Sequence, residues 1–541
     1  MNRGLATTLD VLTKTTNEAA VQVLLPALDS PRSEIQEAAL RAILARRNAA
    51  GQREIIRRLH AVDDHWKAII SDNRGRMSQA LRDAVLDDDP QLVRNANQAI
   101  LWFQEYDLIP TLVTAAEDES NPHAQLAAET LLALCEQLYE ELSSPRDYHL
   151  RRDPQLVRRN VTLSLEESTK RVVRHKRPEI VESFLLLAGR ENATLAQILL
   201  DPLNSSYVPL IQLLTHSEKP GVVRLVLNCL EHPQTPSAMI SVIAHRSDRK
   251  FVEHLLKKIG QSPSAAAKIN LKKLESIAWL RSDLSLLDSF DDAAQHSAVQ
   301  LLTASKVKPN EAFPVIEHLL KTGRTGGRRA AAAALAGFNG SEANHRALES
   351  LKDSDPQVQA LILAQLRQRG IPGALPMLLS YVDSPHHMVR QAARDSLGEF
   401  GFQRFLAAFD MLEEESARST GLLVKRIDVT TIPQLRLEMQ SSSGKRRLRA
   451  LSIARIIAVV PQVIEGVLEL MADEDHLVRA AASKALGDSD TTAARDALEH
   501  ALLDSSLVVQ EAVRASLEQI NSRAAAGTPQ SVPPAHRSQS S

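Results

Sequence analysis

The sequence predicts an all-α fold, a right-handed α-solenoid (superhelix) of antiparallel helix pairs. Three observations predict it. Apolar anchors recur with a period near thirty: Val358 to Val389 is 31 residues, Leu448 to Val478 is 30, and Val478 to Val509 is 31. Asp, Ser or Asn stands repeatedly before proline, a helix-start signature. Aromatics make up only 3% of 541 residues, while Ala and Leu are plentiful, which favours stacked helices over a large aromatic core.

Each repeat begins with a short acidic turn, then a Val-Arg step or its equivalent, then small and apolar residues at helical spacing. Clear copies are LDDDPQLVRNANQAI, RRDPQLVRRNVTLSL, VDSPHHMVRQAARDSLG and ADEDHLVRAAASKALG. Weaker ones are LDSPRSEIQEAALRAIL, LKDSDPQVQALILAQL and LLDSSLVVQEAVRASL. Val93 to Val157 is 64 residues and Val389 to Leu448 is 59, each two periods. The pairs Ser30-Pro31, Asp89-Pro90, Asn121-Pro122, Asp153-Pro154, Asp355-Pro356 and Ser384-Pro385 are each expected to cap a second helix, with proline at its first position. In the copy near Gly398, PGALPMLLSYV is the expected first helix and residues 386–397 the second. Val478, Ala481, Ala482, Ala485 and Leu486 mark the buried stripe of a later second helix.

These features resemble HEAT repeats, in the short form common in bacterial proteins and shared with phycobilisome lyase-type repeats. The turn residues Asp88, Asp383 and Asp473 carry the likeness. So do the steps Val93-Arg94, Val157-Arg158, Val389-Arg390 and Val478-Arg479, and the Ala-rich second helices. Gln36, Gln359 and Gln510 depart from it in the Arg slot. The resemblance implies a stack in which each pair uses its neighbours as core, with the second helices lining a concave face. It is specific for fold and nearly silent on activity; the expectation of protein binding is geometric, because a quasi-one-dimensional body spends its length on surface rather than on one enclosed pocket.

The organisation expected is HEAT-like repeats with a basic end over 1–177, divergent helical repeats over 178–320, regular repeats over 321–520, and a disordered tail over 521–541. Residues 143–153 read as a loop insertion and 323–327 as a Gly-rich turn.

Lys plus Arg is 64 and Asp plus Glu 66, a net charge of −2, so the chain is not a generally basic nucleic-acid binder. Two cysteines, Cys135 and Cys229, exclude a disulfide framework or a Cys-rich zinc site. Cys135 lies in an apolar run and reads as an inert thiol. The first twenty residues show no export signal, and apolar residues 453–464 are too few to span a bilayer. A cytoplasmic protein without membrane insertion is expected.

The recurrence of turn Asp and helix Arg argues for a structural ladder between repeats, because a catalytic pair need occur only once. Asp88, Arg94, Asp153, Asp383, Arg390, Asp473 and Arg479 are assigned to it. The sharpest local feature is residues 146–177, with ten Lys/Arg against four acids. It includes Arg146, Arg151, Arg152, Arg158, Arg159, Lys170, Arg171, Arg174, Lys176 and Arg177. A second cluster is Lys445, Arg446 and Arg447 with Arg449, and Arg324, Arg328 and Arg329 form a third. A solvated helix end or pairing within repeats is the plain reading. The functional reading of Arg158, Arg159, Lys170, Arg171, Arg174, Lys176, Arg177, Lys445, Arg446 and Arg447 is docking of an acidic protein. Nucleic-acid phosphate comes second, since no clear aromatic interleaving supports strand stacking.

No histidine is followed by glutamate, which removes the HExxH zinc motif and the His-Glu pairs of HEAT-like deoxyhypusine hydroxylases. His386-His387 sit about 100° apart on a helix and cannot chelate together. Phosphate loops, GxGxxG and GxSxG are missing. Trp102, Phe103 and Tyr106 read as core. No cofactor, metal or catalytic residue is expected. The function expected is a non-catalytic protein–protein interaction scaffold or adaptor that uses the concave face of the solenoid. The alternatives are a nucleic-acid-binding solenoid using 146–177 and 445–449, and a lyase-like or enzyme-regulatory subunit.

Overall fold

In the computed structural model, residues 3–73, 75–144, 153–282 and 284–526 are described. Every element of regular structure among them is an α- or 3-10 helix. The chain forms two compact units, residues 1–331 and 332–541. Within each unit the architecture is an α-solenoid: antiparallel helices pair, and each pair packs on the next.

In the first unit, helix Ala124–Ser143 packs against Ile109–Glu117 on one side and Pro178–Leu187 on the other. Leu131, Leu134, Cys135 and Leu138 lie on its buried stripe. In the second unit, second helices Gly444–Ile456, His476–Leu486 and Leu507–Ala526 stack in sequence. Val478, Ala482, Ala485, Leu486, Val509 and Val513 belong to one continuous core that begins at Phe402. Ala481 packs only partly buried against it.

The turns obey a rule finer than proline at the first helical position. At all six X-Pro sites the side chain before proline accepts the N–H of the residue after it. The donor–acceptor pairs are Arg32 to Ser30 at 3.3 Å, Gln91 to Asp89 at 3.0 Å, and His123 to Asn121 at 2.8 Å. Gln155 to Asp153 is 3.0 Å, Gln357 to Asp355 3.1 Å, and His386 to Ser384 3.4 Å. Proline offers no N–H, so the side chain takes the next one. Of these six, only Asp89-Pro90, Asp153-Pro154 and Asp355-Pro356 place proline at the helix start. At the others the helices begin later, at Ser33, Ala124 and His387. Pro31, Pro122 and Pro385 therefore lie in the preceding turn, a correction to the expected cap.

Four further corrections concern boundaries and turns. The pair near Gly398 is shorter than expected, Ala374–Tyr381 and His387–Ser396. Gly326 and Gly327 are not in a turn but open the helix Thr325–Ala334. A Cβ on Gly326 would stand 2.9 Å from the Asp292 Cβ, and one on Gly327 would collide with Gln295, so these glycines permit close packing. Asp88 is exposed and is not the turn residue. Asp87 accepts the Asp89 N–H at 3.0 Å, and Asp89 caps the helix. Helix Leu507–Ala526 runs beyond residue 520, with Arg523 Nη1 donating to the Gly487 carbonyl at 3.0 Å. Residues 527–541 of the expected tail, 145–152 of the expected insertion, and with them Arg146, Arg151 and Arg152, lie outside the described residues.

In the span between the two clearer repeat regions, buried polar side chains replace the lost motif. Arg246 is 1% exposed and donates to the Leu214 and Ser217 carbonyls at 3.0 and 2.9 Å. Asn270 donates to the Leu230 and His232 carbonyls at 2.8 and 2.7 Å. Both satisfy carbonyls at the end of an earlier helix, Tyr207–His216 for Arg246 and Pro220–Cys229 for Asn270.

Candidate partner-binding surface

The repeat cations are best read from their bonds. Arg479 Nη1 donates to the Asp473 carbonyl of its own turn at 2.7 Å, while Nε and Nη2 clasp Asp504 of the next turn at 2.8 and 3.0 Å. Arg447 is placed similarly: Nη1 donates to the Ser441 carbonyl at 2.9 Å and Nη2 to Asp473 at 3.0 Å, with Nε 2.7 Å from the other Asp473 oxygen as an ion pair. The glutamines in this slot keep the first bond alone: Gln359 reaches the Asp353 carbonyl at 2.7 Å and Gln510 the Asp504 carbonyl at 2.8 Å. Arg390 binds the Ser384 and Pro385 carbonyls at 2.8 and 2.9 Å.

Asp473, Asp353 and Asp504 also each hold the N–H two residues on, at 2.9, 2.8 and 2.8 Å. Asp383 cannot, because Pro385 stands there; it pairs with Arg426 Nη2 at 2.6 Å instead. Arg94 makes no such pair among the described residues and donates to Gln91 at 2.8 Å. The Arg479 bonds hold the Asp504 carboxyl below its usual range. The cluster at 445–449 is largely neutralised in the same manner. Arg446 forms a two-point pair with Glu438, Arg447 faces Asp473, and Arg449 lies 3.8 Å from both Asp410 and Glu438. Lys445 stays exposed, 3.9 Å from Asp410.

The basic segment at 154–177 is built differently. Asp153 and Pro154 start helix Pro154–Lys170, and a short helix Val172–His175 continues it. Lys176 then adopts φ 53°, which turns the chain into helix Pro178–Leu187. Several cations here serve the fold. Arg171 Nη2 contacts both Glu117 oxygens at 3.0 Å. Burial alone would raise the Glu117 pKa, but the Ser168 and Arg171 bonds bring it below the usual value. Arg177 donates to the Ala116 carbonyl at 3.3 Å and to Gln125 at 2.8 Å. Arg158 donates to the Leu187 carbonyl at 2.7 Å, and Lys170 pairs with Glu167 at 2.6 Å. The exposed side chains of Arg159, Arg174 and Lys176 find no partner among the described residues.

Two concavities flank this segment. One, of about 270 Å³, is lined by Arg158, Arg159, Thr162, Glu166, Gly189 and Asn192 among others. Asn192 and Thr194 bind the Glu166 carboxylate at 2.7 and 3.1 Å. The other, of about 600 Å³, lies between the 172–178 turn and helix Tyr207–His216. Its lining is Val172, Val173, Pro178, Pro209 and Leu213, with Gln212, Lys176 and His216. This apolar floor was not expected from sequence. The available signal was Val172-Val173 inside a basic run, with Val173 53% exposed.

Groups that could suggest chemistry are arranged for structure. Burial pushes the Cys135 thiol up to about 12 and the Cys229 thiol to about 11. Asp288 and Thr322 both meet His318 at Nε2, at 2.8 and 3.2 Å, so the histidine cannot relay a proton between them through its two nitrogens. Phe103 and Tyr106 are buried, and Lys67 Nζ sits 5.1 Å from the Trp102 ring centre. No described helix is long and apolar enough to cross a membrane.

Residues 345–420 and 432–518 match the family model for HEAT repeats. No curated protein matches the chain. Among solved structures, a crystal structure of an engineered protein aligns at 16% identity, 93% of this chain and 98% of that one, with a TM-score of 0.18. A structure concerned with a phosphorylation switch in the interaction between cadherin and beta-catenin aligns at 13% identity, 93% and 99% coverage, and a TM-score of 0.27. Neither overlay adds to what the family match establishes.

Proposed function

From a chain whose residues 345–420 and 432–518 carry HEAT repeats, we propose a non-catalytic interaction scaffold that docks an acidic protein partner on the surface around residues 158–177. One observation carries the reading. Arg159, Arg174 and Lys176 remain exposed and unpaired among the described residues and cluster in one basic segment, whereas the cations of the other basic cluster and the repeat ladder, Arg446, Arg447 and Arg479, face neighbouring carboxylates. A cation without an internal partner costs little in water and adds attraction when an acidic surface approaches. Nucleic acid is the weaker occupant, since among the described residues no Phe, Tyr or Trp side chain is exposed for base stacking.

The test is affinity capture from the native cell with the wild-type chain and with a triple variant, Arg159→Glu, Arg174→Glu and Lys176→Glu. The expected result is loss of specific acidic proteins from the variant, with melting unchanged. Equal recovery by both removes this surface from the function. Capture that disappears on nuclease treatment transfers the role to nucleic acid.

A further inference from the structure

We infer that the groove between the 172–178 turn and helix Tyr207–His216 seats an amphipathic helix whose apolar stripe is flanked by carboxylates; this rests on the acidic-partner reading above. The floor is Val172, Val173, Pro178, Pro209 and Leu213, in a concavity of about 600 Å³. No carboxylate lines it, and the charged or titratable lining groups are Lys176 and His216. Arg174, exposed and unpaired among the described residues, is next to Val173 in the chain. His216 Nδ1 lies 2.9 Å from the Gln212 carbonyl, so Nδ1 carries a hydrogen and Nε2 is left for another partner. Of the acids close by in the chain, Glu179 accepts from Gln125 at 2.9 Å with its other oxygen buried and without a hydrogen-bond partner, and Glu182 accepts from Ser217 at 2.5 Å. Glu218 lies 3.4 Å from Lys250.

Shape selects a helix. The groove runs between helical elements, and side chains of a third helix fit such a furrow as ridges into grooves. The ten residues Tyr207–His216 give it about 15 Å of wall, enough for nearly three helical turns. Apolar residues at i, i+3, i+4 and i+7 would meet the valine, proline and leucine floor. Glutamates beside that stripe would meet Lys176 and Arg174. A bilayer surface is a poorer fit, because it is flat and the apolar residues here line a hollow.

The experiment uses the full chain and a fluorescein-labelled designed peptide of about 14 residues, with leucines at helical spacing and glutamates on both flanks. Anisotropy reads its binding. Saturable binding is expected, weakened about tenfold by Lys176→Glu and severalfold by Val173→Asn. Replacing the peptide leucines by serine should abolish it. Val173→Asn changes an exposed side chain, and a melting curve confirms the fold. If Val173→Asn and the serine peptide bind as the parents do while Arg159→Glu or Arg174→Glu weakens binding, the groove proposal falls and acidic docking stands. If none of these changes alters binding, or the peptide does not bind, both fail. Displacement of the peptide by a short DNA duplex, lost steeply with added salt, would also overturn the proposal.

Discussion

The repeats from residue 432 to 518 and the segment from 154 to 177 use the same residue types to different ends. In the first, Arg447 and Arg479 each join a carbonyl of their own turn to an aspartate of the next turn. In the second, Arg158, Arg171 and Arg177 are drawn into the fold through carbonyls, Gln125 and Glu117, while Arg159, Arg174 and Lys176 are left outside. The comparison teaches that a Val-Arg step does not fix the fate of its arginine. The groups that folding sets beside that arginine decide it. Gln510 shows the same logic at the end of the ladder, where an amide satisfies the turn without reaching a further aspartate.

The hardest blow to the regular region is Leu486→Asp. Leu486 is 0% exposed, and a buried unpaired carboxylate should cost about 4 kcal/mol, read as a lower melting temperature by circular dichroism. Unchanged melting would place this helix in a different register. Next is Arg447→Ala, which strands Asp473 with its side chain 6% exposed; about 3 kcal/mol is expected in urea unfolding.

Arg479→Gln is milder, at about 1–2 kcal/mol, because glutamine can keep the bond to its own turn, as Gln359 and Gln510 do. It also tests pH. The folded Asp504 pKa lies below its unfolded value, so its stabilisation is full above the unfolded pKa, near about 4, and is lost as pH falls through the folded one. In Arg479→Gln the drop in melting temperature on acidification should shrink; an identical drop would deny the pair its role.

The smallest effect on stability belongs to the other region. Arg159→Glu with Arg174→Glu should change stability by no more than about 0.5 kcal/mol while weakening partner capture. Reversal of Arg171 or Arg177 would be a poor probe of binding, since both hold neighbouring helices. A sizeable loss of stability in the Arg159 and Arg174 variant would erase the contrast between the regions.

The Asp-Pro starts were legible because they depend on residues within a turn of one another, and the helix pairs because their apolar anchors recur at a spacing near thirty residues. The Asp87 bond to the Asp89 N–H was missed, although it spans only two residues, because three consecutive aspartates share that turn. The close approach of Gly326 and Gly327 to the helix beginning at Asp292 was hidden for a different reason: the glycines signal a turn locally, and the contact lies about thirty residues away.

By itself the sequence determined helical hairpins that cannot stand alone, since each carries an apolar stripe with nothing of its own to cover it. Tertiary structure decided which cations remain free and where an apolar floor opens. Glu117 meets Arg171 across 54 residues, and Val173 joins Pro209 and Leu213 in one groove only through folding. Charge and hydropathy are properties of single residues; pairing and exposure are properties of neighbours that the stack brings together.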